Sequence, residues 1–352
     1  KKRKGLDEVF GNLSTILDGA YSLTYLNAEG QIAMIRDPIG FRPMCYLEKD
    51  GFFAGASESC ALAPFSENGI KDVKPGEMIL VENDSVEVKR YAKNEKTAHC
   101  MFEWVYFANP SSTMEQRNVY EVRWNLGKEL AKHETLKTNK DDFIVVPVPD
   151  TSKPAADGYA NELGLVSMEG LLRNRYIGRT FIENGSRYDM AKEKYSINKR
   201  IVKGKKVILV DDSIVRGTTS KALIDYLRKV GKPKEIHFRV SCPPLMFPCF
   251  YGIDMSTIDE LIAPRCTDKK ERYEPRDGDV SKEVVEKVRK ELGLDSLQYQ
   301  SLNGLVRSIG LEDGAKKLCM GCLVGKYPTE YGKVLLNKAI EQKGKSKTRT
   351  YA

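Results

Sequence analysis

Histidine is scarce in this chain. The three that occur, His99, His133 and His237, stand far apart, so a zinc site would need distant partners rather than closely spaced histidines. Long apolar runs are missing too. No stretch reaches the roughly 18 residues that a membrane-spanning helix requires, and no membrane partner is expected. No Gly-Lys-Ser/Thr follows a four-residue spacer and no G-x-G-x-x-G turn occurs, which excludes a Walker loop and a dinucleotide fingerprint. There is no signal-like N-terminal segment, so the eight cysteines are expected as thiols in a cytoplasmic setting rather than as disulfides. No internal repeat is evident.

What is present begins with charge. The net charge of +8 would suggest nucleic acid, but residues 1–4 carry four positive charges and residues 341–352 a net +3. The remainder is nearly neutral, so the basicity reads as solvated tails and nucleic acid is not expected as a partner. A length of 352 residues makes two domains the natural prior.

Pattern divides the chain near residue 98. Before it, short alternating segments such as SLTYL, GFFAGA and MILVEN are separated by Gly, Asp and Asn turns, the signature of antiparallel β structure. After it, the apolar strands FIVVPVP, KVILV and EIHFRVS alternate with helical patterns such as NVYEVRWNLGKELAK, the signature of a parallel α/β sheet. Val284, Val285, Val288 and Leu292 predict a further helix, and residues 341–352 form a basic tail.

The most informative stretch is VILVDDSIVRGTTS, Val207 to Ser220. Four consecutive apolar residues suit a strand buried on both faces, which puts Asp211 and Asp212 at its end. A glycine and three hydroxyls follow, then Ala222, Leu223, Tyr226, Leu227 and Val230 at helical spacing. At the carboxyl end of a parallel sheet such a strand–loop–helix junction is where ligands bind, and the helix start favours an anion. Ser213 and Arg216, with Gly217, Thr218, Thr219 and Ser220, make a phosphate cradle. The neighbouring carboxylates, which only accept hydrogen bonds, suit the vicinal hydroxyls of a sugar phosphate.

A second pattern is CMGC, Cys319 to Cys322. This spacing lets two thiolates face one metal or cluster, and zinc, iron–sulfur and redox readings all stay open on the residues alone.

VILVDDSIVRGTTS resembles the phosphoribosyl pyrophosphate (PRPP) loop of type I phosphoribosyltransferases, in the form used by amidophosphoribosyltransferases. GAYSL (19–23), RDPIGFRPM (36–44), ASESCAL (56–62), PGE (75–77), NRYIGRTFI (174–182), CFYGIDM (249–255) and GKYPTE (325–330) resemble the same family in the same order. The resemblance implies a fold of mixed class, α+β and α/β. Residues 1–98 would be an incomplete glutaminase domain of the N-terminal-nucleophile type, its C-terminal β region only. Residues 99–340 would be a type I phosphoribosyltransferase domain with C-terminal helices.

The family's reaction displaces pyrophosphate from PRPP with ammonia taken from glutamine, giving 5-phosphoribosylamine and opening purine synthesis. Carried over by motif, Asp211 and Asp212 would hold the ribose hydroxyls and share an Mg2+ site with Ser152, and residues Arg216 to Ser220 would hold the 5′-phosphate. NRYIGRTFI matches a loop that closes over PRPP, making Arg173, Arg175 and Arg179 candidate cations for the leaving pyrophosphate. Arg173 stands where many relatives have Lys. One branch of the family carries a [4Fe–4S] cluster on four cysteines, and the matching positions here are Cys100, Cys249, Cys319 and Cys322. Its role would be structural. The remaining four, Cys45, Cys60, Cys242 and Cys266, are expected to be small buried hydrophobes, and His99 a satisfied histidine. A homo-oligomer is implied as well.

The sequence departs from the family in two places. Asn109 in FANPSS replaces the usual Arg. The family's glutaminase nucleophile is a terminal cysteine, whereas this sequence opens KKRKGLDEVF and its first cysteine is Cys45, directly after RDPIGFRPM. The expectation is transfer dependent on free ammonia at most. A fragment, a split gene whose partner chain supplies the other glutaminase half, and a true loss of glutaminase are all compatible with this, as are two readings without catalysis: a PRPP-sensing protein and a subunit that docks a separate glutaminase.

Overall fold

The computed structural model describes residues 5–66, 68–83, 85–93, 96–174, 187–253, 255, 257–268 and 271–342, with backbone alone at 187–190. Up to Arg90 the strands pair antiparallel, in two sheets. Strands Ser22–Leu26, Ile32–Arg36, Glu77–Glu82 and Ser85–Arg90 lie side by side in that order, and Phe52–Ala56, Cys45–Lys49 and Lys71–Asp72 form the second sheet. The period-two alternation of strand side chains decides what each face meets. Ala33 and Ile35 pack with Phe10 of the helix Leu6–Ser14, while Met34 and Ile79 pack with Met44 and Tyr46 at the second sheet. The result is one helix layer and two sheet layers.

The second half is built on a parallel sheet of Phe143–Pro147, Lys206–Asp211, Glu235–Val240 and Ser296–Tyr299, in that order. The apolar run at 207–210 is explained by its neighbours. Ile208 and Val210 pack against helices Val119–Lys132 and Lys153–Leu163, and Val207 and Leu209 against Thr218–Tyr226 and Lys282–Leu292. All four are fully buried. In the last of these helices Val284, Val288 and Leu292 are buried and Val285 is only half-buried.

The change of pattern near residue 98 is not a gap in the structure. Ala98 and Cys100 donate to the carbonyls of Ile39 and Phe41, and His99–Cys100 pairs in parallel with Leu318–Cys319. Phe41 stacks on Tyr251 at 4.2 Å between ring centroids. The RDPIGFRPM turn behind this seam is rigidly tied. The Asp37 carboxylate accepts from the backbone N–H of Ile39, Gly40 and Phe41, and buried Arg36 donates to the carbonyls of Gly40, Arg42 and Val73 and to Glu115. Burial pushes the Asp37 carboxyl up to about 6 despite those donors. His99, also buried, reaches the Gly40 carbonyl at 2.7 Å, so it is a satisfied histidine. Among the described residues no helix is long and apolar enough to cross a membrane.

One ion pair is buried in the parallel-sheet half. Arg239 Nε donates to Glu134 Oε2 at 2.6 Å, one terminal nitrogen to Oε1 at 3.0 Å, and the Tyr159 hydroxyl donates to the same carboxylate. Both side chains are 2% exposed. Burial alone would raise the Glu134 carboxyl, but the Arg239 guanidinium and the Tyr159 hydroxyl more than reverse it, to about 2. A depressed carboxyl contributes stability above its ordinary value and loses it as pH falls toward the folded one. Glu134→Gln therefore strands a buried cation and is expected to cost about 3 kcal/mol at pH 7 in urea unfolding, a difference that shrinks between pH 4.5 and about 2; equal stability at pH 7 would contradict the pairing.

Candidate active site

The strand Lys206–Asp211 ends with Asp211 paired in register with Val240. The chain then turns through Asp212 to Arg216 and enters the helix Thr218–Tyr226. Gly217 caps that helix with a φ of +77°, in the left-handed region. A Cβ there would also lie 2.4 Å from Ile262 Cδ1, so both conformation and space call for glycine. Thr218, Thr219 and Ser220 form the first turn, with Ser220 buried. Free N–H groups and hydroxyls at this point can receive a phosphate.

Asp211 and Asp212 share a small, partly buried polar network. Asp211 Oδ1 accepts from the Asp212 N–H at 2.9 Å and lies 3.2 Å from Ser152 Oγ. Ser152 is 1% exposed, and its hydroxyl also lies 2.9 Å from the Val148 carbonyl, so its single proton serves one of them at a time. Ser213 Oγ donates to Asp212 Oδ1 at 2.7 Å. Burial, the larger cause, and the charge of Asp212 beside it hold the Asp211 carboxyl well above the usual range. Burial raises Asp212 too, against the pull of Ser213, Arg123 and Lys194. Ser152, Asp211, Asp212, Ser213 and the loop to Ser220 thus stand together. A cation beside the pair would relieve its repulsion, and the oxygen donors are those that Mg2+ takes.

Arg173 lies on the hairpin Leu171–Arg173 with Tyr195–Ile197, in register with Tyr195. Its guanidinium reaches Asp150 at 3.4 Å rather than the acid pair. Arg175 and Arg179 lie outside the described residues. The sequence gives no pattern for two neighbours of the acids. Lys194 acts on both carboxyls, and the buried Tyr195 phenol is raised by burial and by their charges. Asn109 belongs to a contact of its own: Glu58 accepts from its N–H at 2.7 Å and from Ser112 Oγ at 2.8 Å.

The four cysteines singled out above also meet. Cys100 and Cys319 are register partners, and the Cys322 carbonyl accepts from the N–H groups of Met246 and Phe247, which brings Cys249 alongside. Every pair among the four thiols interacts electrostatically. Burial is the main cause raising them all, Cys319 to about 12, and Arg42 draws Cys100, Cys249 and Cys319 back down. Arg42 had no signal in the sequence beyond its place in RDPIGFRPM. None of the four is in a disulfide. Among the described residues, however, no three His, Cys, Asp or Glu side chains stand in position to hold a metal ion together. Of the other thiols Cys45, Cys242 and Cys266 are buried, but Cys60 is only half-buried and is not a core residue, because its turn Ser59–Ala61 lies at the surface.

Comparison with known proteins agrees with this geometry. Residues 124–246 match the phosphoribosyl transferase domain family. The amidophosphoribosyltransferase of Methanothermobacter thermautotrophicus is 42% identical over 319 residues, 90% of this chain and 62% of the relative. That of Bacillus subtilis is 37% identical over 336 residues, 94% and 66%. The chain thus spans a little under two thirds of the length of these curated relatives. Among solved structures, the B. subtilis glutamine PRPP amidotransferase complexed with ADP and GMP superposes with a TM-score of 0.79 at 35% identity, over 94% of this chain and 68% of that one. A structure described as the allosteric regulatory enzyme of purine biosynthesis gives 0.80 at 36%, over 94% and 67%. With identity of this order across nearly all of its length and both halves of the fold superposed, the chain belongs to the amidophosphoribosyltransferase family.

Proposed function

We propose that this protein transfers ammonia to PRPP with loss of pyrophosphate, forming 5-phosphoribosylamine, the first step of purine biosynthesis. The observation that carries the reading is the acid pair set beside a glycine-capped helix start at the carboxyl edge of a parallel sheet. In this reading Asp211 and Asp212 accept hydrogen bonds from the ribose hydroxyls, and the backbone and hydroxyls of Arg216 to Ser220 hold the 5′-phosphate. The bond from C1′ to the pyrophosphate oxygen breaks, its electron pair leaves with pyrophosphate, the ammonia nitrogen bonds to C1′, and that nitrogen gives up one proton to pyrophosphate or solvent. Mg2+, held by Asp211, Asp212 and Ser152, would neutralise charge on the leaving group. Arg173 and Lys194 would add positive charge near the same end, with Arg175 a further candidate cation from outside the described residues, and a site closed to water favours ammonia over hydrolysis.

The four thiols lie near one another and are the donor type a [4Fe–4S] cluster takes, and in this reading they would close on a cluster that ties residue 100 to residues 249, 319 and 322 as a structural brace. A second observation bears on the nitrogen source. Ile16, Leu26 and Phe65 are 77%, 67% and 60% exposed. Apolar side chains so open in the first 98 residues favour a reading in which further glutaminase polypeptide, on this chain or on a separate one, covers them.

The experiment is pyrophosphate release from PRPP and Mg2+ with ammonium or glutamine as nitrogen source. Release with ammonium is the expected result, and silence with both would overturn the proposal. Asp211→Asn and Asp212→Asn are expected to lower release more than about 100-fold, by removing contacts to the reacting sugar and its counter-charge. The same variants carry a stability signature. A carboxyl raised by folding contributes stability that is present below its ordinary value and lost as pH rises through the folded value. Either variant should therefore melt higher than the wild type at pH 7 without Mg2+, with the gap closing toward pH 4; a lower melting point at pH 7 would contradict the burial of the pair. Cys322→Ser, purified anaerobically, is expected to lose bound iron and melt lower, and full iron retention would remove Cys322 from the ligand set.

A further inference from the structure

The phosphate loop also borders a cavity whose lining reaches beyond the residues the proposed transfer uses, to Arg265 and Glu291. The cavity measures about 290 Å3 and is lined by Arg216, Gly217, Thr218, Lys221, Arg265 and Glu291 among others. Packing therefore does not hold the loop from behind along its whole length. What holds it is the segment Glu260–Arg265. The Ile262 N–H donates to the Val215 carbonyl at 3.0 Å, and the Ile262 side chain closes on Gly217. The Arg265 guanidinium donates to the Glu260 carbonyl at 2.8 Å and reaches the Arg216 carbonyl at 3.4 and 3.5 Å. It is anchored at its other end by Glu291 on the helix Lys282–Leu292. Arg216 itself pairs with Glu260 at 3.6 Å.

We infer that Arg265 is a positioning residue for the phosphate loop: it grips the carbonyl just before Gly217 and so keeps the Arg216–Thr218 turn in its phosphate-receiving shape. This rests on the reading of the loop as the PRPP phosphate site. A loop that turns its N–H groups toward a phosphate sends carbonyls the other way, and these need donors. A guanidinium, with five N–H groups in a fixed fork, serves two carbonyls and a carboxylate at once, whereas a lysine ammonium grips fewer with less fixed geometry. The Arg265–Glu291 pair is partly exposed, at 34% and 44%, so it adds little to global stability. Its effect is local. Without it the loop must be ordered on binding, which weakens the grip on the phosphate equally before and during reaction.

The test compares wild type, Arg265→Ala, Arg265→Lys and Glu291→Gln in ammonium-dependent pyrophosphate release, with amide hydrogen exchange of residues 215–220 measured on the same samples. Arg265→Ala is expected to raise KM for PRPP about tenfold with kcat within about twofold. The loop amides should exchange faster while the thermal midpoint stays close to wild type. Arg265→Lys and Glu291→Gln should fall between. An unchanged KM in Arg265→Ala, or a fall in kcat at constant KM, would overturn the positioning role while leaving the transferase reading intact. Wild type inactive with ammonium would instead sink the transferase reading, and unchanged loop exchange in Arg265→Ala would separately sink the strap.

Discussion

Asp212 is buried and Asp211 half-buried at the end of a strand packed on both faces, and the charge of Asp212 disfavours that of Asp211. The arrangement is a direct outcome of the sheet. With helices on both sides of Lys206–Asp211, Val207 to Val210 are all spent on packing. The first polar residues can only appear at the carboxyl edge, where the chain turns toward the next helix. The same turn supplies the glycine-capped helix start. Carboxylates and glycine-capped helix start therefore arise within ten residues of one another because a parallel strand must end somewhere.

The pair is costly to the isolated chain and useful to a ligand for the same reason. Partial neutralisation by Ser152, Ser213, Arg123 and Lys194 leaves room for a cation and for hydroxyl donors to complete the network. Around it, stability comes from elsewhere: apolar packing on both sheet faces, the Arg239–Glu134–Tyr159 cluster, and the seam where residues 98–100 run between the two halves. That seam carries both Cys100 and the turn with Arg42, so the thiol group and the junction of the halves are one piece of structure.

Much of this was legible in the sequence because it is local. The apolar run, the acids that end it, the glycine and the helical spacing after it fall within one stretch, and each has a geometric consequence that needs no distant partner. Cys100, Cys249 and Cys319 lie far apart along the chain, and only family resemblance joined them, since spacing alone showed no more than the Cys319–Cys322 pair. Arg42, Lys194, Tyr195 and Arg265 were not legible. Each is an ordinary residue in a charged or mixed segment, and its significance comes from which carbonyl, thiol or carboxyl the tertiary fold sets beside it. Cys60 shows the opposite error, a cysteine assigned to a core from residue type when a surface turn governs its exposure.

The central claim is that the raised acid pair is the receptor for Mg2+ and PRPP. Calorimetric titration of PRPP with Mg2+ into the protein near pH 6.5, repeated in buffers of different ionisation enthalpy, reads it directly. Carboxyls that hold part of a proton in the free protein must give it up when a cation and sugar hydroxyls take its place. The account predicts net proton release on binding in the wild type and less of it in Asp211→Asn. Tight binding with no proton release in the wild type would contradict it.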